Sequence, residues 1–292
     1  MRVAHLIMAH KNPKQVLRLV NALNHPECDV YLHLDKKIDS TPFNAIAEVD
    51  RVYLIENRIE CNWGGFSFVK AIVSSLKEIV NKDIDYGVVN LLSGQDYPLK
   101  SSDHIYKYFC DNSTSCFISY EEYNDDQWWI EAVTRYEKYH LTDIKVKGRY
   151  FVQSIMNSLL PKRKFPVKAE LYGSANASWW TLSMECVVFI LDYLEANPKL
   201  LKFMKYTWGG DEFLFPTIIM NSKFKNVARN GNLRHIVWEK GKVNPKILKS
   251  NDLNSLTNSK HMFARKFDSL IDSKIIDDLD KNIIMKDTCY NE

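Results

Sequence analysis

No Cys-x-x-Cys pair occurs in this chain of 292 residues, although it has six cysteines, Cys28, Cys61, Cys110, Cys116, Cys186 and Cys289. That spacing disfavours a zinc site. Cys110 and Cys116 stand at a distance that suits a short bridged loop, but a set of reduced cysteines is the simpler reading. No stretch reaches the roughly 18 consecutive apolar residues of a membrane span. The apolar opening, residues 1–8, is too short for a signal peptide and carries no cleavage site, so it reads as a first strand. A cytoplasmic protein is therefore expected. Lys162-Arg163-Lys164 is either a solvated loop or a peripheral contact with the inner face of a membrane. The net charge of +3 is too small for a nucleic-acid coat, yet it permits a local basic site for an anion. Neither G-x-G-x-x-G nor G-x-x-x-x-G-K-[ST] is present, which disfavours a dinucleotide fold and a P-loop. There is no internal repeat and no low-complexity linker.

What is present alternates. Residues 3–8 form an apolar run, and Val16, Leu19, Val20 and Leu23 follow Pro13 at helical spacing. Further strands are predicted over 30–34, 52–55, 86–92 and 115–119, with helices over 66–80 and 101–109. Such alternation argues an α/β fold with a mixed, mostly parallel sheet flanked by helices. Ligands of such sheets sit outside the carboxyl ends of the strands. Asp35, Trp63, Gly64 and the 93–96 loop with Asp96 fall there. The segment 121–168 mixes Trp128, Trp129, Arg135, Tyr136, Tyr139, Arg149 and Tyr150 with many charges. It reads equally as a sugar-binding wall and as the amphipathic helices of an insertion, with 157–166 as a loop. A strand over 177–182 and helices over 184–194 and 211–220 follow. The tail 275–292 is polar and expected to fray. One domain is expected: a nucleotide-binding half to about residue 120, an insertion over about 121–170, and an acceptor and catalytic half over about 171–270.

Two segments carry chemistry. Trp208-Gly209-Gly210-Asp211-Glu212 puts two carboxylates at the start of an apolar helix, and Phe263-Ala264-Arg265-Lys266-Phe267 sets two cations between aromatics. Asp211 and Glu212 either cap that helix or supply a base. A helix N-terminus favours the carboxylate form, so a base there needs burial to raise its pKa. Arg265 and Lys266 are candidates to hold a diphosphate, because an arginine can chelate two phosphate oxygens while a lysine adds a point charge. No metal is expected, because Asp83-Ile84-Asp85 precedes a strand and Asp278-Leu279-Asp280 lies in the tail. Neither Asp-x-Asp follows a strand, where one would hold a metal on a sugar-nucleotide diphosphate.

Several segments in order resemble the core-2/I-branching β-1,6-N-acetylglucosaminyltransferase family, which includes the peptide O-xylosyltransferases. They are residues 4–10, Tyr31-Leu32-His33-Leu34-Asp35-Lys36, Asn62-Trp63-Gly64-Gly65, residues 90–100, and Gly173-Ser174-Ala175 with Trp179-Trp180. Asp211-Glu212-Phe213, residues 234–238 and residues 263–267 complete the series. The resemblance implies a modified A-type glycosyltransferase fold, a UDP-sugar donor, inversion and no metal. Glu212 matches the catalytic base. Lys266 matches a diphosphate cation, with Arg265 beside it and a second cation among Lys242, Lys246 and Lys249. Asp35, Trp63, Gly64 and Asp96 fall on the donor side. Trp238, Arg135, Tyr136 and Asp211 fall on the acceptor side. Trp63 either stacks near uridine or packs; Asp96 either orders its turn or meets the donor sugar; His33 reads as a packed strand residue. N-acetylglucosamine is the expected sugar, with xylose the alternative. The missing anchor and luminal cysteines of the animal enzymes suggest a bacterial member making a surface polysaccharide. A carbohydrate-binding protein on the same fold and a nucleotide-sugar hydrolase are readings from other classes.

Overall fold

The computed structural model describes residues 1–123 and 127–290. Strand β1 (Arg2–Ala9) leads through helix α1 (Pro13–Ala22) into β2 (Cys28–Leu34), and all seven residues of β2 are buried. Then come α2 (Asn44–Ala47), β3 (Val52–Leu54), α3 (Phe66–Val80), β4 (Tyr86–Ser93), β5 (Asp96–Pro98), α4 (Ser102–Asp111) and β6 (Cys116–Ile118). The middle carries β7 (Glu121–Glu122), α5 (Gln127–Glu137), α6 (Arg149–Leu159) and β8 (Tyr172–Gly173). The chain ends through β9 (Thr181–Ser183), α7 (Met184–Ala196), α8 (Pro198–Met204), α9 (Leu214–Met220), β10 (Ala228–Asn230), β11 (Arg234–Ile236), α10 (Leu253–Thr257), β12 (Phe263–Arg265) and α11 (Lys274–Tyr290).

Among the described residues the main sheet has the order β10-β6-β9-β4-β1-β2-β3. Strand β1 runs parallel to β2 and β4, while β9 is antiparallel to β4 and β6. This is the expected α/β architecture, a mixed and mostly parallel sheet with helices on both faces. One face buries Val69 and Leu76 of α3 with Ile190 of α7 and Ile218 of α9. The other buries Val16 and Leu19 of α1 with Ile275 and Ile276 of α11. Continuous apolar strands are what a sheet covered on both sides requires.

A smaller sheet, β11-β12-β5, sets Arg265 opposite Asp96. Arg234 ties it to the main sheet, donating from Nη2 to Asn90 Oδ1 at 2.5 Å and to the Leu91 carbonyl at 2.7 Å. Burial pushes the Arg234 guanidinium down to about 9, against the opposing pull of Asp96. It reads as a structural cation, held by buried polar partners that compensate its desolvation.

Four local expectations need correction. The tail is helical as α11, because Ile275, Ile276 and Leu279 pack inward while Asp280 binds Arg18 at 2.6 Å and Tyr97 Oη at 2.7 Å; Asn291 and Glu292 lie outside the described residues. The expected loop over 157–166 begins inside α6. Arg163 is no surface cation: it is buried and donates to the carbonyls of Lys138, Phe203 and Tyr206. The predicted helix over 211–220 is a 3₁₀ turn, Gly210–Glu212, followed by α9. Cys110 and Cys116 are both free, as are Cys28, Cys61 and Cys186. Among the described residues no helix is long and apolar enough to cross a membrane.

Candidate active site

Strands β1, β2 and β4 bring their carboxyl ends together, and Asp35 stands just beyond β2. It is buried, and its Oδ1 accepts from the backbone N–H of Lys37 at 2.9 Å and of Cys61 at 3.4 Å. The Asn62–Gly65 turn that follows is held from outside by Asp143. That carboxylate accepts from Asn62 Nδ2 at 2.9 Å, Ser67 N at 2.8 Å and Ser67 Oγ at 2.7 Å. His33 is a packed strand residue, its Nε2 accepting from the Ile59 N–H at 3.1 Å.

The turn meets the Trp208–Glu212 segment directly. Gly209 N–H donates to the Gly64 carbonyl at 2.8 Å, and Trp208 N–H donates to the Arg135 carbonyl at 3.1 Å. Arg135 of α5 lies over the Trp208 ring, 4.6 Å from its centroid. The edge of Trp63 meets the same ring at 4.9 Å, leaving Trp63 65% exposed. Gly64 has φ +67°, and a Cβ there would stand 2.3 Å from Trp208 Nε1. Gly64→Ala is therefore expected to displace Trp208, on top of a left-handed backbone cost of about 1–3 kcal/mol. Calorimetric melting should show that loss, with Arg135 released from Glu212; an unchanged melting temperature contradicts the contact.

Arg135 Nη1 donates to Glu212 Oε2 at 2.5 Å. The Glu212 side chain is 19% exposed. Burial pushes its carboxyl up to about 8; Arg135 pulls the other way, and neighbouring Asp211 adds to the rise. The rise therefore comes from desolvation; a helix N-terminus would lower the pKa, and the short 3₁₀ turn offers little of that opposing effect. Asp211 is also buried and raised, despite a hydrogen bond with Ser178.

Asp211 and Arg265 feel each other's charge. Arg265 is largely buried and lies 4.4 Å over the Trp179 ring. Its Nε stands 3.4 Å from Asp96 Oδ1, and neither atom makes a hydrogen bond. The other Asp96 oxygen accepts from Ser93 N–H at 3.1 Å, so the turn-ordering reading of Asp96 holds for that oxygen. Burial, then Arg265, then Lys11 lower the Lys266 pKa. Lys266 opens onto a cleft of about 550 Å³, which Lys242, Lys246 and Lys249 also line. Lys246 is tied to Asp252 at 2.6 Å. Among the described residues no group of three or more His, Cys, Asp or Glu side chains is placed to hold a metal ion.

Not every expected residue joins this cluster. Tyr136 packs edge-on to Phe213 and lines a separate cleft of about 290 Å³ with Tyr123 and Glu170. Trp238 is exposed and donates from Nε1 to Asn176 Oδ1 at 2.8 Å. Sequence reasoning passed over Trp208 as a site residue, and it passed over Asp143. The Trp208-Gly209-Gly210 signal pointed to the first; nothing local pointed to the second.

The geometry thus sets a buried carboxylate, clamped by Arg135, next to Asp211, which in turn feels the charge of Arg265. Several known proteins are similar to this chain. Rattus norvegicus xylosyltransferase 2 is 23% identical over 96% of this chain and 33% of its own length. The Ciona intestinalis xylosyltransferase is 22% identical over 96% of this chain and 34% of its own. The chain thus spans about a third of the length of the curated relatives it matches. The apo structure of mouse xyloside xylosyltransferase 1 aligns with TM-score 0.40 and 11% identity, covering 90% of this chain and 97% of that one. The family model described as Core-2/I-Branching enzyme matches residues 3–260, and the chain belongs to that family.

Proposed function

We propose that this protein is an inverting glycosyltransferase that moves a sugar from a UDP-sugar to a hydroxyl of a glycan acceptor without a metal. The observation that carries the proposal is the largely buried Glu212 carboxylate, held by Arg135 Nη1 at 2.5 Å beside Asp211, where burial also raises its pKa to about 8. The acceptor oxygen attacks the anomeric carbon and gives its proton to Glu212. The bond from that carbon to the diphosphate oxygen breaks, and UDP leaves with the electron pair. Arg265 and Lys266 meet the charge that develops on the leaving group, as fixed donors do without reorganising. Lys242 and Lys249 line the same cleft as second cations, whereas Lys246 is already paired with Asp252.

Asp35, Trp63, Gly64 and Asp96 are proposed for the donor. Arg135, Asp211, Trp238 and Tyr136 are proposed for the acceptor side, Arg135 by holding Glu212. The similar proteins named above are xylosyltransferases, which favours UDP-xylose over UDP-N-acetylglucosamine. The family description leaves the second donor in play. The proposed acceptor is a bacterial surface polysaccharide.

Thermal-shift measurement with each UDP-sugar in excess EDTA separates the donors. A ligand at about 100 times its Kd adds roughly 2.7 kcal/mol to stability. UDP-xylose is expected to stabilise most; stabilisation by UDP-N-acetylglucosamine alone would overturn the xylosyl reading. The base role fixes the pH profile. Glu212 acts deprotonated, and that fraction grows tenfold per pH unit below its pKa. Accordingly kcat/KM should rise with unit slope and level off near pH 8, the value to which burial brings Glu212. A flat profile between about pH 6 and about pH 9 contradicts a base of this kind.

A further inference from the structure

Helix α6 is amphipathic the wrong way round for a helix docked on its own protein. No residue in it is buried. Its half-buried positions include Gln153 and Asn157, which bind the preceding segment. Leu141 N–H donates to Gln153 Oε1 at 2.8 Å; Tyr139 N–H donates to Asn157 Oδ1 at 2.7 Å, and Asn157 Nδ2 returns a bond to the Tyr139 carbonyl at 2.9 Å. The outward side is apolar. Phe151 is 71% exposed and Leu159 77%, with Tyr150, Val152, Ile155 and Leu160 exposed beside them. Val146, just before the helix, is exposed too. Isolated exposed apolar residues are ordinary, but a contiguous set on one helix marks an interaction face.

The segment that carries this face has charge of one sign. Between residues 144 and 169 there are seven Lys and Arg residues and no Asp or Glu. Arg163 is turned inward, Lys145 pairs with Glu60, and Lys162 pairs with Glu137. Lys147, Lys164 and Lys168 are exposed. Arg149 bonds the carbonyls of Thr142 and Ile144 and lies over the Tyr150 ring. An exposed apolar stripe flanked by cations is the pattern of a helix lying in the interface of an anionic bilayer, with its apolar side chains among the acyl chains and its lysines at the headgroups.

We propose that α6 and its flanking lysines dock this protein on the surface of an anionic lipid membrane. The surface lies next to the candidate active site, because Asp143, at its start, holds the Asn62–Gly65 turn through Ser67. None of Glu212, Arg265 and Lys266 lies on α6 or among its flanking lysines. The docking is therefore independent of the transferase reading.

The test is co-sedimentation of the full chain with vesicles of phosphatidylcholine alone and of phosphatidylcholine with phosphatidylglycerol. Capture by the anionic vesicles only, reversed by high salt, is expected. The Phe151→Ser/Leu159→Ser and Lys147→Glu/Lys164→Glu variants should each lower capture by at least about tenfold while keeping the wild-type melting temperature. These side chains are exposed, and the salt titration of the wild type reads the proposal even if a variant misfolds. Absence of capture at low salt overturns it, as does equal capture by neutral vesicles or capture that neither folded variant alters. A dimer in solution that Phe151→Ser/Leu159→Ser abolishes, with no vesicle capture, would give the face to a second copy of the chain and overturn it too.

Discussion

Glu212→Gln is expected to fold, to bind UDP, and to lose about 10²–10⁴-fold in kcat. Glutamine keeps the size of the side chain and an oxygen to accept from Arg135 Nη1, so the clamp that joins α5 to the 3₁₀ turn can persist. What it removes is the ability to take a proton. Because burial opposes the charged form of Glu212, the neutral amide should not destabilise the fold, and the melting temperature should hold or rise. Transfer rate with saturating donor, read beside UDP affinity, checks this. Turnover at the wild-type level would remove Glu212 from the base role. Parallel losses of turnover and UDP affinity would place it on the donor instead.

The second large effect is at Arg265. Arg265→Ala should cost about 10²–10³-fold in kcat, the scale seen when one fixed donor to a developing oxyanion is removed. Arg265→Lys should recover little. The guanidinium lies 4.4 Å over the Trp179 ring and presents a planar fork, and an ammonium reproduces neither the fork nor its delocalised charge. The loss has a structural side as well, since Asp96 is fully buried and would lose the nearer of its two cations, Arg234 being the other. Breaking such a pair costs about 3–5 kcal/mol. Asp96→Asn/Arg265→Ala relieves that penalty and should regain stability without regaining turnover. Recovery of turnover in the double variant would show that Arg265 acts only on the fold.

The elements legible in the sequence were those whose partners are near or whose pattern is strong. The apolar runs of β1, β2 and β4 marked a covered sheet, and their carboxyl ends placed Asp35 and the 93–96 loop. The remainder depended on contacts that no local pattern carries. Arg135 and Glu212 are 77 residues apart, and Ser67 and Asp143 are 76 apart. Helix α11 was hidden because its charges read as solvated, while Asp280 in fact meets Tyr97 from 183 residues away. The run Lys162-Arg163-Lys164 read as three equal surface cations, yet Arg163 is taken inward by backbone carbonyls of a distant turn. The Asp211–Glu212 turn was read as an α-helical start, where burial had to outweigh the helix terminus for a base. Gly209, at φ +64°, instead begins a 3₁₀ turn, and desolvation governs the carboxyl.

The central claim is inverting transfer without a metal. It is tested most directly by incubating the protein, in excess EDTA, with the UDP-sugar that stabilises it and a library of glycan acceptors. The product is identified by mass, and its anomeric configuration by NMR. The account predicts a β-linked product from the α-linked donor, formed at the same rate with and without Mn²⁺. An α-linked product, transfer only after Mn²⁺ is supplied, or UDP release to water alone would contradict it.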